Sequence, residues 1–159
     1  MNRTFSVRTA RDTDAHAIYE LDQLVFAAPD QFSRRRFRYL LRSSHAFTLV
    51  AERQGEIVGC VVTLIRRASS GVTTGRIYSI AVAPDARNAG LGTELLNRAE
   101  GELRRRRAVR VTLETRVNSS QQAFFFKRGY EPGALLLRYY YDANGIRMSK
   151  SLIAVAAQA

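Results

Sequence analysis

The chain has 159 residues, 46% of them hydrophobic, a length that suits one domain with a real core. No apolar run approaches the ~18 residues of a membrane helix, and the N-terminal MNRTFSVRTARDTDAH lacks the apolar stretch of a secretion signal. Net charge is +11, nearly all arginine because Lys127 and Lys150 are the only lysines, and the single Cys60 excludes an intrachain disulfide, so a protein of the reducing cytoplasm is expected.

Taken in order, Phe5 to Arg8 alternates as a short strand. Asp12 or Thr13 can cap a helix reaching about Phe26, with Ile18, Leu21, Leu24 and Val25 on its buried stripe. Ser33 can cap a second helix, RRRFRYLLRS, with Phe37, Leu40 and Leu41 inward and arginines elsewhere. Strands Phe47–Arg53 and Glu56–Arg66 follow, joined by Gln54-Gly55. Residues 68–75 read as a loop, and Ile77 to Val82 as a buried strand. Pro84 and Asp85 break it, and Leu91, Leu95, Leu96 and Ala99 then recur at helical spacing in a helix running to Arg107. A strand over Arg110–Arg116, a helix over Ser119–Arg128 ending at Gly129, and strands Gly133–Tyr141 and Ile146–Leu152 complete the order, with Asp142-Ala143-Asn144-Gly145 as the last turn. No repeat or linker divides the chain, so one domain over 1–159 is expected, with a frayed tail from about residue 153.

The stretch from Ile77 to Glu100 organises the rest. Strand, glycine-containing turn and helix start make a place for an anion, because the first N–H groups of a helix lack partners and carry the positive end of its dipole. Gly90 and Gly92 let a bulky diphosphate approach the backbone. A P-loop would need a Lys and a Ser/Thr after its second glycine. A dinucleotide fingerprint would need glycine where Leu95 stands. What remains, Arg87-x-x-Gly90-x-Gly92 after SIAVAPDAR, resembles the acetyl-CoA signature of the Gcn5-related N-acetyltransferase superfamily. Further on, LETR with Asn118, the helix end Lys127-Arg128-Gly129-Tyr130 and the ending YYYDANG…Met148 resemble the branch that acetylates protein N-termini, including the ribosomal-protein alanine acetyltransferases. The resemblance covers about residues 3 to 150.

It implies an α+β fold: a mixed, mostly antiparallel sheet flanked by helices, with one parallel strand–helix–strand crossover at the acetyl-CoA site. It implies direct transfer of an acetyl group from acetyl-CoA to a primary amine, a protein or peptide α-amine being the first expectation. Ile80, Ala81 and Val82 would run beside the pantetheine arm, and one of their N–H groups would polarise the thioester carbonyl. Arg87 and the N–H groups of Asn88, Ala89, Gly90, Leu91, Gly92 and Thr93 would hold the pyrophosphate. Asn118 would hydrogen-bond the cofactor arm, although counting from the strand puts Ser119 in its place. Glu114 is the candidate general base, weighed against a strand glutamate paired with arginine.

One position departs from the family. A tyrosine that would protonate the leaving thiolate is replaced by Phe125, which can pack against the acetyl or pantetheine arm but cannot donate a proton. Tyr78 and Tyr139 to Tyr141 are the candidate replacements, each reading first as a core or rim aromatic. Cys60 reads as core, His16 and His45 as surface, and no cluster has metal-ligand spacing. The arginines, including Arg34, Arg35, Arg36, Arg38 and Arg42, read first as solvated surface, with an acidic acceptor or RNA as the alternative and nucleic acid ranked below the amine acceptor. A small-molecule amine acetyltransferase and a non-catalytic acyl-CoA-binding module stay open, as does a homodimer through the final hairpin.

Overall fold

A computed structural model describes residues 4–154. The strands are β1 (Ser6–Thr9), β2 (Ala46–Arg53), β3 (Glu56–Arg67), β4 (Thr73–Val82), β5 (Ala108–Arg116), β6 (Glu131–Tyr140) and β7 (Ala143–Ser151). The helices are α1 (Ala15–Val25), α2 (Arg34–Arg42), α3 (Leu91–Arg105) and α4 (Ser120–Lys127). The sheet has seven strands in the order β1-β2-β3-β4-β5-β7-β6. It is the mostly antiparallel α+β arrangement expected, and β4 and β5 are its parallel pair, in register at Gly75↔Val111 and Arg76↔Thr112. The frayed tail expected from about residue 153 lies, beyond Ala154, outside the described residues.

The chain forms two compact units interleaved in sequence. One comprises the residues up to Leu64 together with Ile77–Ala99, the other Ile65–Arg76 and the residues from Glu100 on.

In the first unit, the first half of α3 buries Leu91, Leu95, Leu96 and Ala99, the residues whose spacing announced the helix. Each large one contributes about 1.5–3 kcal/mol by leaving water. Gly59 of β3 lets this helix approach: a Cβ there would stand 3.0 Å from Leu95 Cδ1 and 3.1 Å from Leu91 Cδ2. Arg8 ties β1 to its surroundings, donating to both oxygens of Asp14 (2.7 and 3.0 Å) and, through Nη2, to Glu52 Oε1 (2.6 Å). Asp14 also accepts from the Arg11 N–H at 2.7 Å. This corrects the expected cap: Asp12 and Thr13 lie in a 3₁₀ turn over Asp12–Asp14, and α1 begins after it. Ser33 caps α2 as expected, accepting from Arg36 N–H at 3.1 Å.

The buried stripe of α1 is also corrected. Leu24 is 64% exposed, because at 3.6 residues per turn it lies about 240° around the helix from Ile18. Asp22 holds the inward place and is 2% exposed. Its Oδ2 accepts from the Phe32 N–H at 2.8 Å, while Oδ1 is buried without a hydrogen-bond partner.

In the second unit, β5 and β7 pair antiparallel from Arg110↔Ser151 to Arg116↔Gly145. Gly75 leaves room for Leu103, whose methyl carbons would stand 2.5 Å from a Cβ at that position. Helix α4 ends as its glycine announced. Gly129 has φ +91°, its N–H donates to Phe126 O at 3.1 Å, and the Tyr130 N–H donates to Phe125 O at 3.1 Å. This is the Schellman pattern, closed by the Phe125 and Tyr130 rings with centroids 5.7 Å apart. Beneath it, buried Glu100 accepts from the Tyr130 hydroxyl at 3.0 Å and from Lys150 Nζ at 2.6 Å.

Several boundaries differ from the sequence reading. Thr73 to Gly75 belong to β4 rather than to a loop, because strand pairing with β5 begins there. Ala143 to Gly145 belong to β7 rather than to the turn, since they pair with β5 and β6. Helix α3 stops at Arg105, and Arg107 has φ +63°.

Burial raises the Asp22 carboxyl above its ordinary range, against the opposing hydrogen bond from Phe32. A raised carboxyl favours the protonated fold, so this stabilisation is present below the unfolded value near 3.9 and is lost as pH rises through the folded one. Asp22→Asn keeps a carbonyl for Phe32 without the charge. It should be more stable than the parent at neutral pH, by about 1 kcal/mol, with the gain shrinking in acid. Urea midpoints measured against pH for both proteins check this.

Candidate functional site

The first unit carries the strand, turn and helix start on consecutive residues. Ala81 is buried, while Ile80 and Val82 are half-buried. After Val82 the Ala83 N–H donates to Val58 O at 2.8 Å, and a 3₁₀ turn over Pro84–Ala86 redirects the chain. Arg87 folds back so that its Nε donates to Val82 O at 3.1 Å. Asn88 has φ +63° and Gly90 φ +77°, left-handed values that asparagine tolerates and glycine adopts freely. The first α3 hydrogen bond runs from the Glu94 N–H to Gly90 O at 3.0 Å. The N–H groups of Leu91, Gly92 and Thr93 therefore precede the intrahelical ladder.

A diphosphate fits this turn. Residues Arg87 to Gly90 are exposed, and a Cβ built on Gly90 meets nothing within 4 Å, so the backbone there is open. Leu91 is 2% exposed, so its side chain belongs to the core. Thr93 is half-buried in the same turn.

The second unit carries Glu114, Asn118 and Phe125. Glu114 sits on β5 opposite Arg147 of β7, and its side chain is 6% exposed. Oε2 accepts from Arg76 Nε at 2.9 Å and Oε1 from Arg147 Nε at 3.1 Å. Arg76 Nη2 also donates to the Tyr139 hydroxyl at 3.1 Å. Each carboxylate oxygen has two lone pairs, so these bonds leave acceptor capacity on both.

Asn118 has φ +57° and is exposed; its N–H donates to Gln122 Oε1 at 2.6 Å. The neighbouring Ser119 hydroxyl is engaged as the cap of α4, accepting from the Gln122 N–H at 3.1 Å and donating to Arg116 O at 2.6 Å. Between the two residues that sequence counting left open, Asn118 is thus the better candidate. Phe125 is buried, with its ring edge-on to Phe124 and Tyr130.

Among the other candidates, Tyr78 stacks on Phe32 with centroids 4.9 Å apart, and its hydroxyl accepts from Arg36 at 2.6 Å. Tyr140 lies under the Arg116 guanidinium, 4.3 Å from the ring centroid, and Tyr141 is 91% exposed. Cys60 is buried, and desolvation pushes its thiol up to about 12; it stays protonated at neutral pH, as a core residue would. Among the described residues no group of three metal-ligating side chains forms, and no helix is long and apolar enough to cross a membrane.

Sequence reasoning missed Arg76 and Arg147. Arginine on a strand carries no special signal, and only the pairing register of β4, β5 and β7 brings both to Glu114.

Residues 15–130 match the model of the acetyltransferase (GNAT) family. An N-alpha-acetyltransferase of Sulfurisphaera tokodaii is 31% identical over 151 residues, covering 89% of each chain. The ribosomal-protein-S18-alanine N-acetyltransferase from Escherichia coli has the same fold, with TM-score 0.82 and 20% identity over 98% of this chain and 99% of that one. Arabidopsis thaliana Naa50, solved with the bisubstrate analogue CoA-Ac-MVNAL, gives TM-score 0.80 and 20% identity over 92% and 98%. The chain belongs to the GNAT acetyltransferase family.

The turn yields a test of its backbone. Because a Cβ at Gly90 has open space, Gly90→Ala should destabilise through φ alone, by about 1–2 kcal/mol. Gly90→Asn should lose less. Urea unfolding midpoints of the three proteins decide.

Proposed function

We propose that this GNAT acetyltransferase transfers an acetyl group from acetyl-CoA directly to the α-amine of a protein or peptide N-terminus, in the cytoplasm. The observation that carries the reading is the turn from Val82 to Thr93, open over Gly90, which leads directly into the start of α3.

In this reading the N–H groups from Asn88 to Thr93 hold the pyrophosphate of acetyl-CoA, with the positive end of α3 behind them. Arg87 braces the turn through Val82 O. An N–H of Ile80, Ala81 or Val82 donates to the thioester oxygen as charge develops there. Asn118 holds the cofactor arm, and Phe125 supplies an apolar wall without a proton.

The amine must reach the thioester uncharged. Glu114 takes a proton from the ammonium, directly or through one water, and Arg76 and Arg147 hold its carboxylate in place. The amine nitrogen then forms a bond to the carbonyl carbon while the carbon–sulfur bond breaks. The electron pair leaves on sulfur as the CoA thiolate, which needs no acid of the kind Phe125 lacks, because water can protonate it. A second proton leaves the new amide nitrogen to solvent.

Peptides incubated with the protein and acetyl-CoA should gain one acetyl on the α-amine, read by fragment mass spectra. Acetylation of lysine side chains alone, or of polyamines but no peptide, would replace the proposed acceptor. Glu114→Gln should lower kcat by about 10²–10⁴-fold while acetyl-CoA affinity, measured by calorimetry, is kept. An unchanged kcat would remove Glu114 as the base.

A further inference from the structure

We propose that the outer face of α2 is a docking surface for single-stranded RNA. Five of the nine residues of this helix are arginine, none is acidic, and only Phe37 and Leu40 are buried. The charges oppose the fold's own electrostatics. Arg34, Arg35 and Arg36 occupy the first turn, where the helix dipole is positive and cations are unfavourable. Arg34 and Arg38, and again Arg38 and Arg42, are like charges four apart, which repel along the helix. Ser33 already caps the helix N-terminus, so the arginines are not needed to start the helix.

Some of them have local roles. Arg34 lies over the Tyr19 ring at 4.9 Å, Arg36 donates to the Tyr78 hydroxyl at 2.6 Å, and Arg42 meets Asp12 at 3.3 Å. Arg35 and Arg38 are exposed, and between Arg38 and Arg42 stands Tyr39, itself 65% exposed. The helix thus presents a row of guanidinium groups with an aromatic ring set among them. Residues three and four apart are about 5–6 Å from one another, a repeat along which successive phosphates of one strand can be met. Guanidinium forks grip phosphate oxygens, and an exposed ring gives an unpaired base a stacking platform. An acidic peptide would use the charges and leave Tyr39 idle, which is why RNA is the occupant inferred.

The test is fluorescence anisotropy of a labelled oligo(U) with the full chain, across a salt series. The parent should bind at about 50 mM salt and weaken steeply by about 200 mM. The Arg35→Gln/Arg38→Gln double variant should flatten the log–log salt slope by about 1.4, at about 0.7 per lost phosphate contact. Tyr39→Ala should weaken binding by about five- to a hundredfold with the slope unchanged. Melting temperatures should be unchanged or raised in the double variant, since it relieves repulsion, and this separates lost binding from lost folding. No binding at the lowest salt overturns the proposal. So does binding that ignores Tyr39 and is displaced equally well by polyglutamate, which would assign the face to an acidic protein instead.

Discussion

Two left-handed residues set the terms for this molecule. Asn88 and Gly90 turn the chain from the end of β4 into α3 within a few residues, and the helix begins with donors that its own ladder cannot use. Everything around the turn serves to hold that geometry. Arg87 reaches back to Val82 O, Ala83 is pinned to Val58 O, and the first half of α3 is anchored by buried Leu91 and Leu95 against Gly59. A helix fixed so firmly along its side keeps its first turn in place, so the positive end of its dipole is preorganised. That is the condition under which backbone electrostatics contribute most to catalysis.

Much of this was legible from residue order. A strand-forming run, a Pro-Asp break, two glycines and then leucines at helical spacing admit few local solutions, and α3 begins at Leu91 as its spacing requires. The end of α4 was equally readable, because Gly129 is the residue that a left-handed cap selects. Less could be read where tertiary context decides. Thr73 to Gly75 are polar and small and look like a loop until β5 pairs with them. Leu24 looked buried because leucine usually is, yet the α1 stripe passes through Asp22. Glu114 could be named as a candidate, but its two arginine partners come from strands whose register no local pattern reveals.

The second unit handles buried charge in two ways. Glu100 is 2% exposed, and a tyrosine hydroxyl and an ammonium satisfy its oxygens; it joins α3 to the α4–β6 corner and to β7. The Glu114 side chain is nearly as hidden, but its partners are arginines that are themselves part-exposed, at 37% and 49% of their side chains. The first arrangement is closed and reads as structural, since removing one member would strand a charge in the core. The second leads outward, because the guanidinium groups that hold Glu114 reach solvent themselves.

The link between Lys150 and Glu100 has another consequence. A catalyst that modifies amines is exposed to its own product-forming chemistry, because any accessible lysine on its surface competes with the true acceptor. Here the chain has two lysines; Lys150 has its ammonium held by a buried carboxylate, and Lys127 alone stands exposed on α4. The remaining positive charge is guanidinium, which stays protonated at any physiological pH and offers no lone pair for acylation. Writing the surface in arginine gives the protein its charge while leaving it almost inert to self-modification.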